Sequence, residues 1–245
     1  MKYFKNVILL VLVVLYFAAC KKVNHKEATV NCVTSPPVID GKVGQVWSAS
    51  EWLPLNNVRW TRLEKVTKED ISASYKVLWD KENLYFLVSV TDNVKFQNTF
   101  TTEFEKKFDL RLRDNDGVEL FFDLKNTKYD GIDVNNFNYK KFTYDTDSIS
   151  TSTSTPTNSV VEGIVCKQSN TKTGYIFEIK FPWKALGITP KKGLKIGFEM
   201  NVVDNDNDVP KPDILSEKEA ILTWNNNTYE NPFNSTAIYG TLILK

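Results

Sequence analysis

The chain has 245 residues, with 31 Lys and Arg against 30 Asp and Glu and a single histidine; 42% of residues are hydrophobic and 13% aromatic. Nothing in this balance favours nucleic acid, which calls for a basic face, while the apolar content suffices for a packed core. Three cysteines, with no CxxC and no metal-type spacing, give no sign of a zinc or dithiol module.

The N-terminus opens with Lys2 and Lys5, then an unbroken apolar run from Val7 to Phe17, then Ala18-Ala19-Cys20. The run is shorter than the roughly 20 apolar residues needed to span a bilayer. It predicts a signal peptide over residues 1–19. A Cys after two small residues predicts lipidation at Cys20, hence a bacterial lipoprotein anchored to its membrane only through lipid, on the periplasmic face or cell surface. Residues 20–35 are polar without an apolar period and predict a tether. Residues 36–245 suit a single domain. Removing residues 1–19 takes away Lys2 and Lys5 and no acid, leaving 29 basic residues against 30 acidic.

Beyond the tether, short apolar or alternating runs are bounded by Asn, Asp, Gly and Pro. Strands are predicted at Ser72–Trp79, Leu84–Thr91, Val118–Leu124, Phe137–Tyr144, Val160–Lys167, Tyr175–Phe181, Ile196–Val203, Ala220–Trp224 and Tyr239–Leu244. Asp80-Lys81-Glu82-Asn83 reads as a hairpin turn. Thr101–Phe108 and Pro182–Leu186 suit a helical turn or two, and Ser148–Ser159 a flexible loop. The pattern predicts an all-β chain, a two-sheet antiparallel β-sandwich or jelly roll. Trp47, Trp79, Trp183 and Trp224 are expected core anchors, and Ile39, Val77, Tyr85, Phe121, Phe177 and Phe198 fall at positions suited to inner faces. Cys32 and Cys166 lie in strand-like stretches of an exported chain. A disulfide and two small buried hydrophobes are both open readings.

Several segments together resemble the family 9 carbohydrate-binding modules: Pro37-Val38-Ile39-Asp40-Gly41 with Trp47; Lys76–Tyr85 closing on Val90-Thr91-Asp92; Asp116–Asp123; Gly174–Trp183; Ile196-Gly197-Phe198; and Trp224 with Tyr239-Gly240. The blocks keep the family's order over about residues 37–245. The resemblance implies a non-catalytic module that binds a sugar or polysaccharide end in support of carbohydrate catabolism, beside glycan-degrading enzymes. It places the ligand on Glu119, Asn201, Asn226 and Tyr229, with Lys140 in place of an arginine. Arg113 stands where the family has its first sugar-stacking aromatic; a guanidinium can stack, and Trp52 or Trp60, in an insert-like stretch, are candidates to replace the lost ring.

The resemblance also implies structural calcium, for which Asp114, Asp116, Asp204 and Asp206 supply hard oxygens. Competing chemistries are poorly served. Glycoside hydrolysis needs two carboxylates across a cleft, and Asp114, Asp116, Glu119 and Asp123 have no such pairing in the family. The sole histidine, His25, lies in the predicted tether, so a triad lacks its base; Met200 and His25 are the mature chain's only haem-type ligands of that kind. The alternative function is a surface assembly sandwich that has lost sugar binding, to which Arg113 points.

Overall fold

The computed structural model describes residues 25–96, 115–145, 149–151, 163–206 and 218–245. Cys20, Arg113, Asp114 and the Thr101–Phe108 turn lie outside the described residues.

The described strands are β1 (Glu27–Cys32), β2 (Leu53–Pro54), β3 (Asn57–Thr61), β4 (Ile71–Trp79), β5 (Asn83–Asp92), β6 (Gly117–Asp123), β7 (Phe137–Thr143), β8 (Ile149–Thr151), β9 (Val165–Asn170), β10 (Gly174–Pro182), β11 (Lys195–Asp204), β12 (Ala220–Thr223) and β13 (Gly240–Leu244). One sheet runs β8-β7-β6-β11-β13, with β12 and β3 continuing beside β11; the other runs β4-β5-β10-β9. Strand β1 joins them. Its first four residues pair in parallel with β13 and its last two with β4. The predicted tether therefore ends before Glu27. Polar Glu27, Thr29 and Asn31 alternate with Ala28 and Val30, which enter the core; the alternation is that of a half-buried strand, and only its shortness hides it. Ile149–Thr151, expected as loop, pairs with Lys140–Phe142.

The sheets close over a core in which Tyr75, Phe86, Phe122, Phe181, Phe198 and Trp224 meet ring to ring. All four expected tryptophan anchors are buried. Val77, Phe177 and Phe198 join the main core, but Tyr85 and Ile39 belong to a second cluster around Trp47, and Phe121 to a third with Tyr139 and Tyr239. The reason is the pleat: Leu84, Phe86 and Val88 take the inner face of β5, so Tyr85 points outward. Glu178 ties the second cluster, accepting from the Asp40 and Gly41 amides at 2.9 and 3.0 Å and from Trp47 Nε1 at 2.8 Å.

Asp80 closes the β4–β5 hairpin, its Oδ1 accepting from the Glu82 and Asn83 amides at 2.8 and 2.7 Å. After Pro182 a single helical turn, Trp183–Leu186, ends at Gly187 with φ 70°. Cys32 on β1 and Cys166 on β9 are four strand steps apart, roughly 19 Å, against the limit of about 7 Å for a bridge. The strand order thus excludes the disulfide. Neither cysteine is a fully buried hydrophobe either: Cys32 is exposed, and Cys166 is half-buried against the margin of the core.

Candidate functional site

On β6, Val118, Leu120 and Phe122 face the core, so Glu119 and Phe121 face outward. The same alternation on β11 puts Ile196, Phe198, Met200 and Val202 inside and Glu199 and Asn201 outside. Register then aligns one row across the sheet: Lys141 on β7, Glu119 on β6, Asn201 on β11, Thr223 on β12 and Asn57 on β3. Glu119 and Asn201, both expected in the site, meet directly: Asn201 Nδ2 donates to Glu119 Oε2 at 2.9 Å. Tyr139 Oη donates to the other oxygen at 3.2 Å.

Lys140 stands elsewhere. It pairs with Leu120, and Lys141 pairs with Glu119; a shift of one residue turns a side chain to the other face. The Lys140 ammonium, buried, donates to Asn138 Oδ1 at 3.1 Å and to the Tyr139 carbonyl at 3.0 Å, and burial pushes it down to about 8. Lys141 is the lysine on the Glu119 face, where its ammonium donates to the Asn115 carbonyl at 3.0 Å.

Burial by itself would raise the Glu119 carboxyl. Lys218, Lys141, the Asn201 amide and Arg59 overcome it and hold the group below the ordinary glutamate range. Arg59 reaches this environment from β3, where a bulge interrupts the pairing with β12. Its Nε and the Asn201 Oδ1 are buried without a hydrogen-bond partner among the described residues. Buried polar atoms are ordinarily paired.

Asn226 lies one turn beyond β12. Its Oδ1 accepts from the Thr228 amide and hydroxyl at 2.9 and 2.7 Å, and its Nδ2 donates to the Glu230 carbonyl at 2.8 Å. It thereby shapes the loop that carries Tyr229, which is 87% exposed. Glu199 supports the loop from below, accepting from the Trp224, Asn225 and Asn226 amides at 2.8, 3.0 and 2.7 Å; burial still pushes its carboxyl up to about 7. Phe233, in the same loop, packs on Phe121 and Tyr139 with centroids 5.0 and 4.7 Å away. The loop is thus pinned beside Glu119.

A second cluster lies at the end of the core. Asp92, Asp204 and Asp206 offer carboxylate oxygens within 4.8 Å of one another. Both oxygens of Asp204, and one each of Asp92 and Asp206, are buried without a partner among the described residues. Asp116 adjoins them, its Oδ1 accepting from the Asn205 amide at 2.9 Å. Burial, and behind it repulsion from Asp92, raises the Asp116 carboxyl. Burial, then Asp206 and Asp92, push Asp204 up to about 9. Such a set of hard, unpaired oxygens fits a cation of the calcium type. Asp116, Asp204 and Asp206 were expected here; Asp92 was visible only as the end of its strand.

Arg59, Lys141, Tyr139, Phe233 and Lys218 join the Glu119 site without any mark of it in the sequence. Lys141 needed the β6–β7 register, and the others need tertiary contacts.

A two-sheet sandwich with a polar, charged row on one outer face and aromatics at its rim has the form of a carbohydrate-binding module. The chain belongs to the carbohydrate family 9 binding domain-like family, whose model matches residues 39–245. It is 30% identical over 208 residues to endo-1,4-beta-xylanase A of Thermoanaerobacterium saccharolyticum and 29% identical over 208 residues to exoglucanase XynX of Acetivibrio thermocellus. These matches span 85% of this chain but 15% and 16% of those relatives. Among solved structures, a family 9 module from Caldicellulosiruptor kristjanssonii in complex with cellotriose superposes with a TM-score of 0.69 at 22% identity, over 90% of this chain and 94% of that one. A family 9 module from the same organism in complex with glucose gives a TM-score of 0.65 at 22% identity, over 90% and 96%.

Proposed function

We propose that this chain binds a sugar or the end of a polysaccharide without cleaving it, on the outer face formed by Glu119, Asn201, Arg59 and Lys141 and bordered by Tyr229. The observation that carries the reading is the pair of buried, unpartnered polar atoms, Asn201 Oδ1 and Arg59 Nε, beside an ionised Glu119. Sugar hydroxyls would satisfy them, and a ligand lacking the right hydroxyl would leave them unpaired, which gives selectivity. Tyr229 offers the apolar ring face that a pyranose stacks upon. The family, and relatives named as a xylanase and an exoglucanase, support a β-linked glucan or xylan as the ligand class and a role beside glycan-degrading enzymes.

We extend the proposal to the N-terminus and to a cation. Cys20 anchors the chain to a bacterial membrane by lipid, and Asp92, Asp116, Asp204 and Asp206 hold a structural calcium that neutralises their charge. The test of the sugar site is an affinity measurement on wild type, Glu119→Ala and Tyr229→Ala against gluco- and xylo-oligosaccharides. Both variants are expected to weaken binding at least ten-fold. Binding untouched by either would refute the site, and no binding by wild type would favour the reading in which Arg113 marks a sandwich that has lost its sugar.

A further inference from the structure

Two strands share one edge of β11. Strand β13 runs beside Lys195–Phe198 and β12 beside Asn201–Asp204, while β6 fills the other edge. Between the two pairings lie Glu199 and Met200, and at that break the chain leaves the sheet after Thr223 and returns at Gly240. The excursion is the loop that carries Asn226, Tyr229 and Phe233. Its two roots meet at a break in the ladder, so their polar groups need partners from elsewhere.

Two consecutive residues supply them. The Lys26 amide donates to Asn225 Oδ1 at 2.6 Å and its ammonium to the Trp224 carbonyl, both on the outgoing root. On the returning root, the Lys26 carbonyl accepts from the Thr241 amide at 2.9 Å, and His25 Nδ1 donates to the Tyr239 carbonyl at 2.9 Å. Asn225 completes the stitch: its Nδ2 donates to the Ile238 carbonyl at 2.6 Å, from one root to the other. The packing leaves no slack, since a Cβ on Gly240 would stand 2.3 Å from the Trp224 ring and 3.0 Å from the Lys26 carbonyl oxygen. Trp224 and Asn225 are buried and His25 and Lys26 half-buried, so water competes poorly for these bonds.

We infer that His25 and Lys26 are positioning residues for the sugar site, acting through the loop roots; the inference rests on the loop that bears Asn226 and Tyr229 being the rim of that site. Both residues fall in the stretch expected as tether, and the structure gives them a load. Asn226 follows Asn225 directly and Tyr229 comes three residues later, so a root that slides or opens carries both away from Glu119. By linkage the effect runs both ways: a sugar that holds the rim also holds the segment before β1 against the roots.

The test uses the full chain as wild type, Lys26→Met and His25→Ala, with Glu178→Ala as a variant destabilised in the other sheet. Affinity for cellotriose and xylotriose is read by calorimetric titration, and amide hydrogen exchange is followed along Asn225–Ile238 and at Lys26. Lys26→Met binds the preferred sugar about three- to ten-fold more weakly, the weight of one or two hydrogen bonds, and His25→Ala shows a smaller loss. Exchange over Asn225–Ile238 quickens in both variants, and in wild type the sugar slows exchange at the Lys26 amide. Glu178→Ala keeps wild-type affinity although it melts lower, which separates a positioned rim from a weakened fold. Wild-type affinity in both N-terminal variants, or a weakened Lys26→Met whose loop exchanges as in wild type, overturns the inference while the sugar site stands. A Glu178→Ala variant that loses as much affinity as Lys26→Met reduces the effect to stability and overturns it too. Wild type that binds neither sugar refutes the sugar site and this inference together.

Discussion

Asp204→Asn separates a cation site from an ordinary acidic cluster. Both oxygens of Asp204 are buried and unpartnered among the described residues, and burial with Asp206 and Asp92 pushes its carboxyl up to about 9. With calcium bound, that repulsion becomes coordination. At a free calcium one hundred times its dissociation constant, binding stabilises the native state by about 2.7 kcal/mol. For a chain of this size each kcal/mol moves Tm by roughly 2–4 °C, so wild type is expected to melt about 5–10 °C higher in calcium than in EDTA. The substitution keeps the side-chain shape, removes the charge and weakens coordination. In EDTA the variant should melt at or above wild type; in calcium it should melt below. Thermal unfolding of both proteins in both buffers, with magnesium as the poorer-fitting control, reads this crossover. Equal wild-type Tm in calcium and EDTA, or a variant that keeps the full calcium shift, would refute the reasoning.

Replacing each of the two neighbouring lysines tests the register. Lys140→Met should stabilise the fold at pH 7 by about 1–2 kcal/mol, since it removes a poorly solvated ammonium, and should leave sugar affinity unchanged. Because the Lys140 pKa is depressed from 10.5 to about 8, its unfavourable charge disappears in the native state as pH rises; the advantage of Lys140→Met should shrink between about pH 8 and 10.5, as read by denaturant titration. Lys141→Met, by contrast, should lower affinity measurably, being opposite Glu119. Glu178→Ala leaves the Asp40 and Gly41 amides and the Trp47 indole N–H without their carboxylate acceptor, and should cost about 3 kcal/mol, seen as a fall in denaturation midpoint without a change in the affinity of the folded fraction.

Much of the fold was legible before the structure. The predicted strands fall within a residue or two of the observed ones, save Val160–Lys167, where the strand observed is Val165–Asn170 and Gly163 and Ile164 lie before it. Long strands carry enough periods to declare themselves. Strand β1 has only two inward residues, Ala28 and Val30, and its polar neighbours resemble a tether. Inner and outer faces were harder: β5 has buried residues on both faces, so Tyr85 looked like core of the sandwich although it serves a separate cluster under Trp47.

The sequence by itself determined the class of fold, which follows from alternation within single strands, while Glu119, Asn201 and most of the acids of the Asp92–Asp204–Asp206 cluster were marked by the resemblance of its motif blocks to the family. Tertiary structure alone decided which lysine faces Glu119, that Arg59 reaches Glu119 from β3, that Asp92 joins the acids, and that Cys32 and Cys166 stay apart. Each of these depends on pairing between strands far apart in the chain. Pairing has a period of two, so a single step of register exchanges one face for the other, and no local pattern records that step.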